Sequence, residues 1–194
     1  MDQRLEKQLS FVLELDKMKS LYRQTYVLHE DRTENDAEHS WHLAVMAFLL
    51  AEYFPEPVDL LHVMKMVLLH DVVEIDAGDT YLYDEEGNRT KAAREEKAAQ
   101  RLYGLLPQDQ QQEMYSLWRE FEEKKTPEAR FAGVLDRVQP LLLNYTNNGR
   151  AWTEHGIAAE QVRERNTATV ENSPVLGRLI LSLIDDARSK GWLK

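Results

Sequence analysis

The chain has 194 residues, with 34 acidic against 24 basic side chains, a formal net charge of −10 and no cysteine. That length suits one domain with a core of its own, and the missing thiols exclude disulfides, iron–sulfur clusters, thiolate zinc and cysteine nucleophiles. The acidic balance opposes a nucleic-acid polymer, whose affinity rests on Lys and Arg contacts to phosphate. No stretch reaches the roughly 18 apolar residues of a membrane span, and the charged opening MDQRLE is unlike a signal peptide. A cytoplasmic protein without a membrane or polynucleotide partner is expected.

Helical periodicity recurs along the chain and only 8 Gly and 6 Pro interrupt it, so the expected fold is all-α, a single domain spanning 1–194. The first helix is expected over residues 3–20, with Leu5, Leu9, Val12 and Leu15 on one stripe. Residues 21–36 lack a period and read as a loop of functional length. A second helix runs from Asp36 or Ala37 to about Tyr53 and stops before Phe54-Pro55-Glu56-Pro57, where proline forbids continuation. The third covers about 58–73; Gly78 ends the segment, and 79–90 read as a polar loop. Helices follow at about 91–104 and 108–123. Thr126-Pro127, an N-cap followed by proline at the first helical position, opens another that reaches about Tyr145. Pro140 inside it predicts a bend or loosened turn at Asp136. After a turn at Asn147-Asn148-Gly149, C-terminal helices are expected at about 155–170 and 174–190. Trp41, Trp118 and Trp152 are assigned to the core, and His29, His62 and His155 to loops or surface.

One pair does not fit a plain helical bundle. His70-Asp71 ends the otherwise apolar run that starts at Val67, and a carboxylate beside buried apolar surface needs a partner or a cation. One metal ion would satisfy both side chains. Further ligands are sought on helices whose apolar faces point at the same core. His39 lies on a stripe with Leu43, Met46 and Leu50, and Asp136 lies in the apolar run Phe131–Val138. Two imidazoles and two carboxylates suit one divalent Mn, Co, Fe, Zn or Mg ion with room for water.

The order His39, His70-Asp71, Asp136 resembles the signature of the HD-domain metal-dependent phosphohydrolases. Three longer stretches resemble the 5′-deoxynucleotidase branch: Glu34-Asn35-Asp36-Ala37-Glu38-His39-Ser40; Leu69–Glu74 with Gly78-Asp79; and Glu128-Ala129-Arg130-Phe131 leading to Leu135-Asp136-Arg137. The resemblance runs from about residue 9 to 145, leaving 146–194 as helices without a matching motif. It implies hydrolysis of (deoxy)nucleoside 5′-monophosphates to nucleoside and phosphate, with His39, His70, Asp71 and Asp136 as metal ligands. Glu74 matches the family's catalytic acid, Arg23 its phosphate-holding arginine and Asp79 its sugar-contacting residue. The family often places Trp just after that arginine, whereas here Gln24-Thr25-Tyr26 follow. A homodimer is implied as well.

Four other residues draw a lesser role. His42 is expected to line a pocket or to be hydrogen bonded, and Glu38 to act as a helix charge or behind the ligands. The run Arg94-Glu95-Glu96-Lys97 reads as a solvated helix face, with Lys91 and Arg94 close enough to the preceding loop to approach substrate. The alternatives are another HD enzyme acting on triphosphates, cyclic nucleotides or (p)ppGpp, or a non-catalytic regulatory module. The (p)ppGpp enzymes usually carry adjacent Glu-Asp after the HD pair, but Ile75 separates Glu74 from Asp76 here. Regulatory modules typically lose the ligands, and all four are present.

Overall fold

The computed structural model describes residues 2–194 and is mainly helical. Helix α1 spans Gln3–Glu14 and continues as a 3-10 turn at Leu15–Ser20. Strands β1 (Tyr22–Tyr26) and β2 (Thr33–Asn35) form an antiparallel pair in the stretch read as a loop. Tyr, Thr and Gln favour extended backbone here, but two such short strands are below the length at which alternation can be recognised.

Helix α2 (Asp36–Leu50) starts where expected because Asn35 and Glu38 form a reciprocal capping box. Glu38 also pairs with Arg32, so its role is local. Helix α3 (Leu60–Leu69) is shorter than expected: from Val72 on, the backbone bonds run i→i−3 through a tight turn into α4, Glu74–Ala77. His70 and Asp71 therefore stand at a helix end, where side chains can leave the helical stripe.

Helix α5 spans Glu85–Tyr103 and begins six residues before the expected 91. Asp84 accepts from the backbone of Glu86 and Gly87, an N-cap that outweighs the helix-weakening Gly87. Helices α6 (Gln108–Glu123) and α7 (Pro127–Thr146) match expectation, and α7 runs unbroken through Pro140. A helix that was not expected, α8 (Arg150–His155), follows the turn, and the one expected at 155–170 divides into α9 (Ala159–Arg165) and α10 (Thr167–Asn172), before α11 (Pro174–Ser189). Gly156, at φ +63°, closes α8 in a conformation that branched side chains resist.

Two apolar clusters hold these elements. The larger joins α2, α3, α7 and the C-terminal helices through Leu43, Met66, Phe131, Leu135, Trp152 and Ile180. The smaller joins α1, α5 and α6 through Phe11, Leu102, Tyr103 and Trp118. Val67 belongs to the first and Val72 to the second, so His70-Asp71 sits at their seam. Removing the fully buried Phe131 ring would cost about 3–5 kcal/mol and loosen α7, which carries Asp136.

One expectation about packing fails: Trp41, assigned to the core, is 65% exposed. The stripe Leu5, Leu9 and Val12 also faces solvent, and α1 buries Phe11 instead. Apolarity marks a face of a helix but does not say whether a neighbour covers it. No helix among the described residues is long and apolar enough to cross a membrane.

Candidate metal centre and its cavity

Two clusters of metal-type donors adjoin where α2, the end of α3 and α7 meet: His39, His70 and Asp136 form one, Asp36, Asp71 and Glu74 the other, and Asp71 reaches both imidazoles of the first. His39 Nε2 lies 3.2 Å from Asp136 Oδ1 and 3.8 Å from Asp71 Oδ2. His70 Nε2 lies 3.0 Å from Asp71 Oδ2 and 3.7 Å from Asp136 Oδ1. Each imidazole is turned by its other nitrogen: His70 Nδ1–H donates to the Val67 carbonyl at 2.8 Å, and His39 Nδ1–H to Gln139 Oε1 at 2.9 Å. Both Nε2 atoms are thereby the ones turned toward the carboxylates.

These residues fit a divalent cation. Ligands about 2.1 Å from a six-coordinate ion stand about 3 Å from their neighbours, close to the observed donor spacings. His70 Nε2 is buried and without a hydrogen-bond partner. Burial disfavours charge on His70, yet Asp71 and Asp136 push it up to about 10. A field that retains a proton there also favours a metal ion. Burial, and then Arg23, hold His39 below its usual value, as a neutral ligand requires. Asp136 and Asp71 stay low against burial, held by the imidazoles and, for Asp71, by Arg23 as well.

Arg23, from β1, stands beside the four donors. Its Nη1 donates to Asp71 Oδ2 at 2.7 Å and Asp36 Oδ1 at 3.2 Å, and its Nε lies 3.7 Å from Glu34. Glu34, Asp36, Asp71 and Glu74 are all buried, so negative charge exceeds what one guanidinium neutralises. Burial lifts Glu34 to about 7, and burial with Asp71 nearby raises Asp36. Glu74 rises well above its ordinary value, through burial first and then through Asp71 and Asp36. Its Oε2 is buried without a partner, an environment that favours the neutral carboxylic acid over the carboxylate.

A cavity of about 210 Å³ opens from this cluster, lined at its near end by Arg23, His70, Asp71, Glu74, Asp79 and Asp136. Burial raises Asp79 against the pull of Arg23. Lys91 lines the cavity as expected, 3.4 Å from buried Glu95. Arg94 does not: it donates to the carbonyls of Ala77 and Gly87 and to Thr80, tying the segment after Gly78 to α5. His42 is hydrogen bonded to Gln139 and stands outside both His/Asp/Glu clusters.

Sequence reasoning missed four residues. Gln139 links His39 to Glu34, donating to Glu34 Oε2 at 2.8 Å; its position one helical turn after Asp136 was the available signal. Glu34 and Asp36 stood inside a quoted motif without an assigned role. Lys124 leaves α6 at φ +52° and places its ammonium over Phe121, 2.8 Å from the ring centroid, on the cavity wall. Gly133 makes room for it, since a Cβ there would stand 3.1 Å from its Cδ and Cε. Desolvation brings Lys124 down to about 8 although Asp136 opposes the change. Nothing in the sequence marks a lysine at a helix end as an inward-turning one.

A helical fold that brings two imidazoles and two carboxylates together at the closed end of a cavity defines a helical metal-centre protein. The chain belongs to the HD-domain family, whose model matches residues 15–176 and so extends into the C-terminal helices. A solved structure from Magnetospirillum magnetotacticum, described as a predicted metal-dependent phosphohydrolase, is 49% identical with a TM-score of 0.94, covering 99% of this chain and 96% of that one. The 5′-deoxynucleotidase HDDC2 of Bos taurus is 31% identical over 69% of this chain and 64% of its own length. That of Homo sapiens is 30% identical over 69% and 65%. The chain thus spans just under two thirds of the length of these two relatives.

Proposed function

We propose that the protein hydrolyses nucleoside 5′-monophosphates, 2′-deoxy forms in particular, to nucleoside and inorganic phosphate. The carrying observation is the grouping of four metal-type donors beside the buried carboxyl of Glu74 on the wall of a cavity. The naming of the HDDC2 relatives as 5′-deoxynucleotidases supports the monophosphate.

His39, His70, Asp71 and Asp136 would hold the divalent ion. When bound, such an ion supplies a water of lowered pKa and neutralises phosphoryl oxygens. Arg23 presents its guanidinium to the phosphate, exchanging part of its hold on Asp36 and Asp71 for phosphoryl oxygens. Lys124 and Lys91 add positive charge on other walls of the same cavity. Glu74 delivers its proton to the departing 5′ oxygen as the P–O bond breaks, so nucleoside leaves as an alcohol. Asp79 accepts from a sugar hydroxyl. Gln139 keeps His39 in the tautomer that faces the donors.

The proposal includes a homodimer, supported by the outer face of α2, where Trp41 and Phe48 are 65% and 52% exposed. Phosphate release from a panel of mono-, di- and triphosphates, with added Mn²⁺ and with EDTA, tests the reaction. Release from monophosphates that EDTA abolishes is expected. Preference for triphosphates would favour the rival HD chemistry, and no metal-dependent release from folded protein would end the enzyme reading.

A further inference from the structure

The cavity continues well beyond the groups that handle phosphate. Two of its walls run the same way from the metal donors. Along α7 the lining residues are Asp136, Arg137, Pro140, Leu141 and Asn144. Asp136 and Asn144 are therefore about 12 Å apart at 1.5 Å per residue. Strand β1 runs alongside from Arg23, and Asn147 Nδ2 donates to the Tyr26 carbonyl at 3.0 Å, joining the far ends of the two walls. That depth matches a nucleotide from phosphorus to the outer edge of its base.

The far end has the character of a site for a flat, partly polar ring. Trp152 and Leu141 are buried there, and Tyr83 and Tyr81 face it from the segment after Gly78. Tyr81 is fixed by an edge-to-face contact with Tyr83 at 5.3 Å and a tilted ring contact with His155 of α8 at 4.9 Å. Asn166, at the junction of α9 and α10, lines the same cavity and is 4% exposed. Its Nδ2 donates to the Val162 carbonyl at 2.8 Å. A carbonyl only accepts, so the amide cannot be turned round, and Oδ1 must face away from Val162. That oxygen is buried and has no partner in the protein. Buried acceptors are rarely left unpaired, because the lost hydration is not replaced.

We propose that this far end is a nucleobase subsite in which Asn166 Oδ1 accepts a hydrogen bond from an N–H group on the edge of the base. The inference rests on the nucleotide reading above and assigns a role to residues 146–194, which carry no motif of the reaction. Tyr81, Tyr83 and Trp152 provide the apolar walls of the slot, and Asn166 supplies its polar specificity.

The test compares the best 2′-deoxynucleoside 5′-monophosphate with deoxyribose 5-phosphate, which has the phosphate and sugar but no base. In Asn166→Leu the ratio of kcat/KM for the nucleotide over the sugar phosphate should fall about tenfold, the worth of one neutral hydrogen bond. Tyr83→Ala, which opens the wall without touching the buried amide, should lower the same ratio and serves if Asn166→Leu does not fold. Binding of the free deoxynucleoside, followed by calorimetry, should weaken in parallel. An unchanged ratio in folded variants, or equal loss on both substrates, would overturn the subsite. If the wild type turns over no monophosphate, the reaction proposal fails; nucleoside binding that Asn166→Leu weakens would still uphold the subsite, and absence of such binding would end it too.

Discussion

Gln139→Leu separates what the metal ligands do from what holds them. Gln139 is 1% exposed and serves two buried groups, accepting from His39 Nδ1 at 2.9 Å and donating to Glu34 Oε2 at 2.8 Å. Leucine fills similar space but leaves both unpaired. Each orphaned buried group costs about 1–3 kcal/mol, so a loss of about 2–6 kcal/mol in stability is expected. Glu34, already lifted to about 7, can take up a proton and keep the loss toward the lower end. His39 also loses the bond that fixes its tautomer, and metal affinity should fall about 10–100-fold. Thermal unfolding with and without Mn²⁺, and chelator competition for Mn²⁺, read the two effects separately. Gln139→Glu restores an acceptor for His39 while removing the donor to Glu34. It should recover much of the metal affinity but little of the stability. Mn²⁺ affinity within twofold of wild type in folded Gln139→Leu would refute the reasoning.

Four further outcomes follow from the same geometry. Glu74→Gln should bind metal normally while kcat falls about 10²–10⁴-fold, the usual worth of a general acid. Because burial raises Glu74, the acid form persists above the ordinary carboxylate range and is lost as pH rises through its raised pKa. The wild-type kcat/KM should therefore decline on the alkaline side, and a profile that instead rises with pH would contradict the acid role. Lys124→Met should raise KM for monophosphates about tenfold with Mn²⁺ affinity intact, since a charged hydrogen bond to phosphate is removed; unchanged KM would place Lys124 outside the substrate path. Trp41→Lys, on the exposed face of α2, should convert a dimer to a monomer in light scattering, and an unaltered mass would move the interface elsewhere.

The candidate ligands were readable because metal coordination restricts residue type so tightly. With no cysteine, a His-Asp pair in an apolar run needed other His and Asp residues on core-facing helices, and His39 and Asp136 stood in such places. The structure brings all four together. Helices with strong start or stop signals were equally legible: Thr126-Pro127 at a start and the prolines after Phe54 at a stop act through neighbouring backbone alone. What stayed hidden depends on contacts remote in sequence. The β1–β2 pair exists through bonds between two weakly patterned segments. Trp41 looks like core until the absence of a covering helix is seen. Gln139 and Glu34 stand 105 positions apart and acquire meaning only when α7 meets the residue just ahead of α2. Lys124 turns inward because Gly133, on another helix, leaves space.

The central claim is that one divalent ion, held by His39, His70, Asp71 and Asp136, enables phosphate release. Metal-free protein titrated with Mn²⁺ while phosphate release from a deoxynucleoside monophosphate is followed tests it most directly. Activity should rise from none and saturate at one equivalent per chain, and Asp136→Asn should abolish both the tight equivalent and the activity. Full phosphate release by the stripped protein, or undiminished tight binding and turnover in Asp136→Asn, would contradict it.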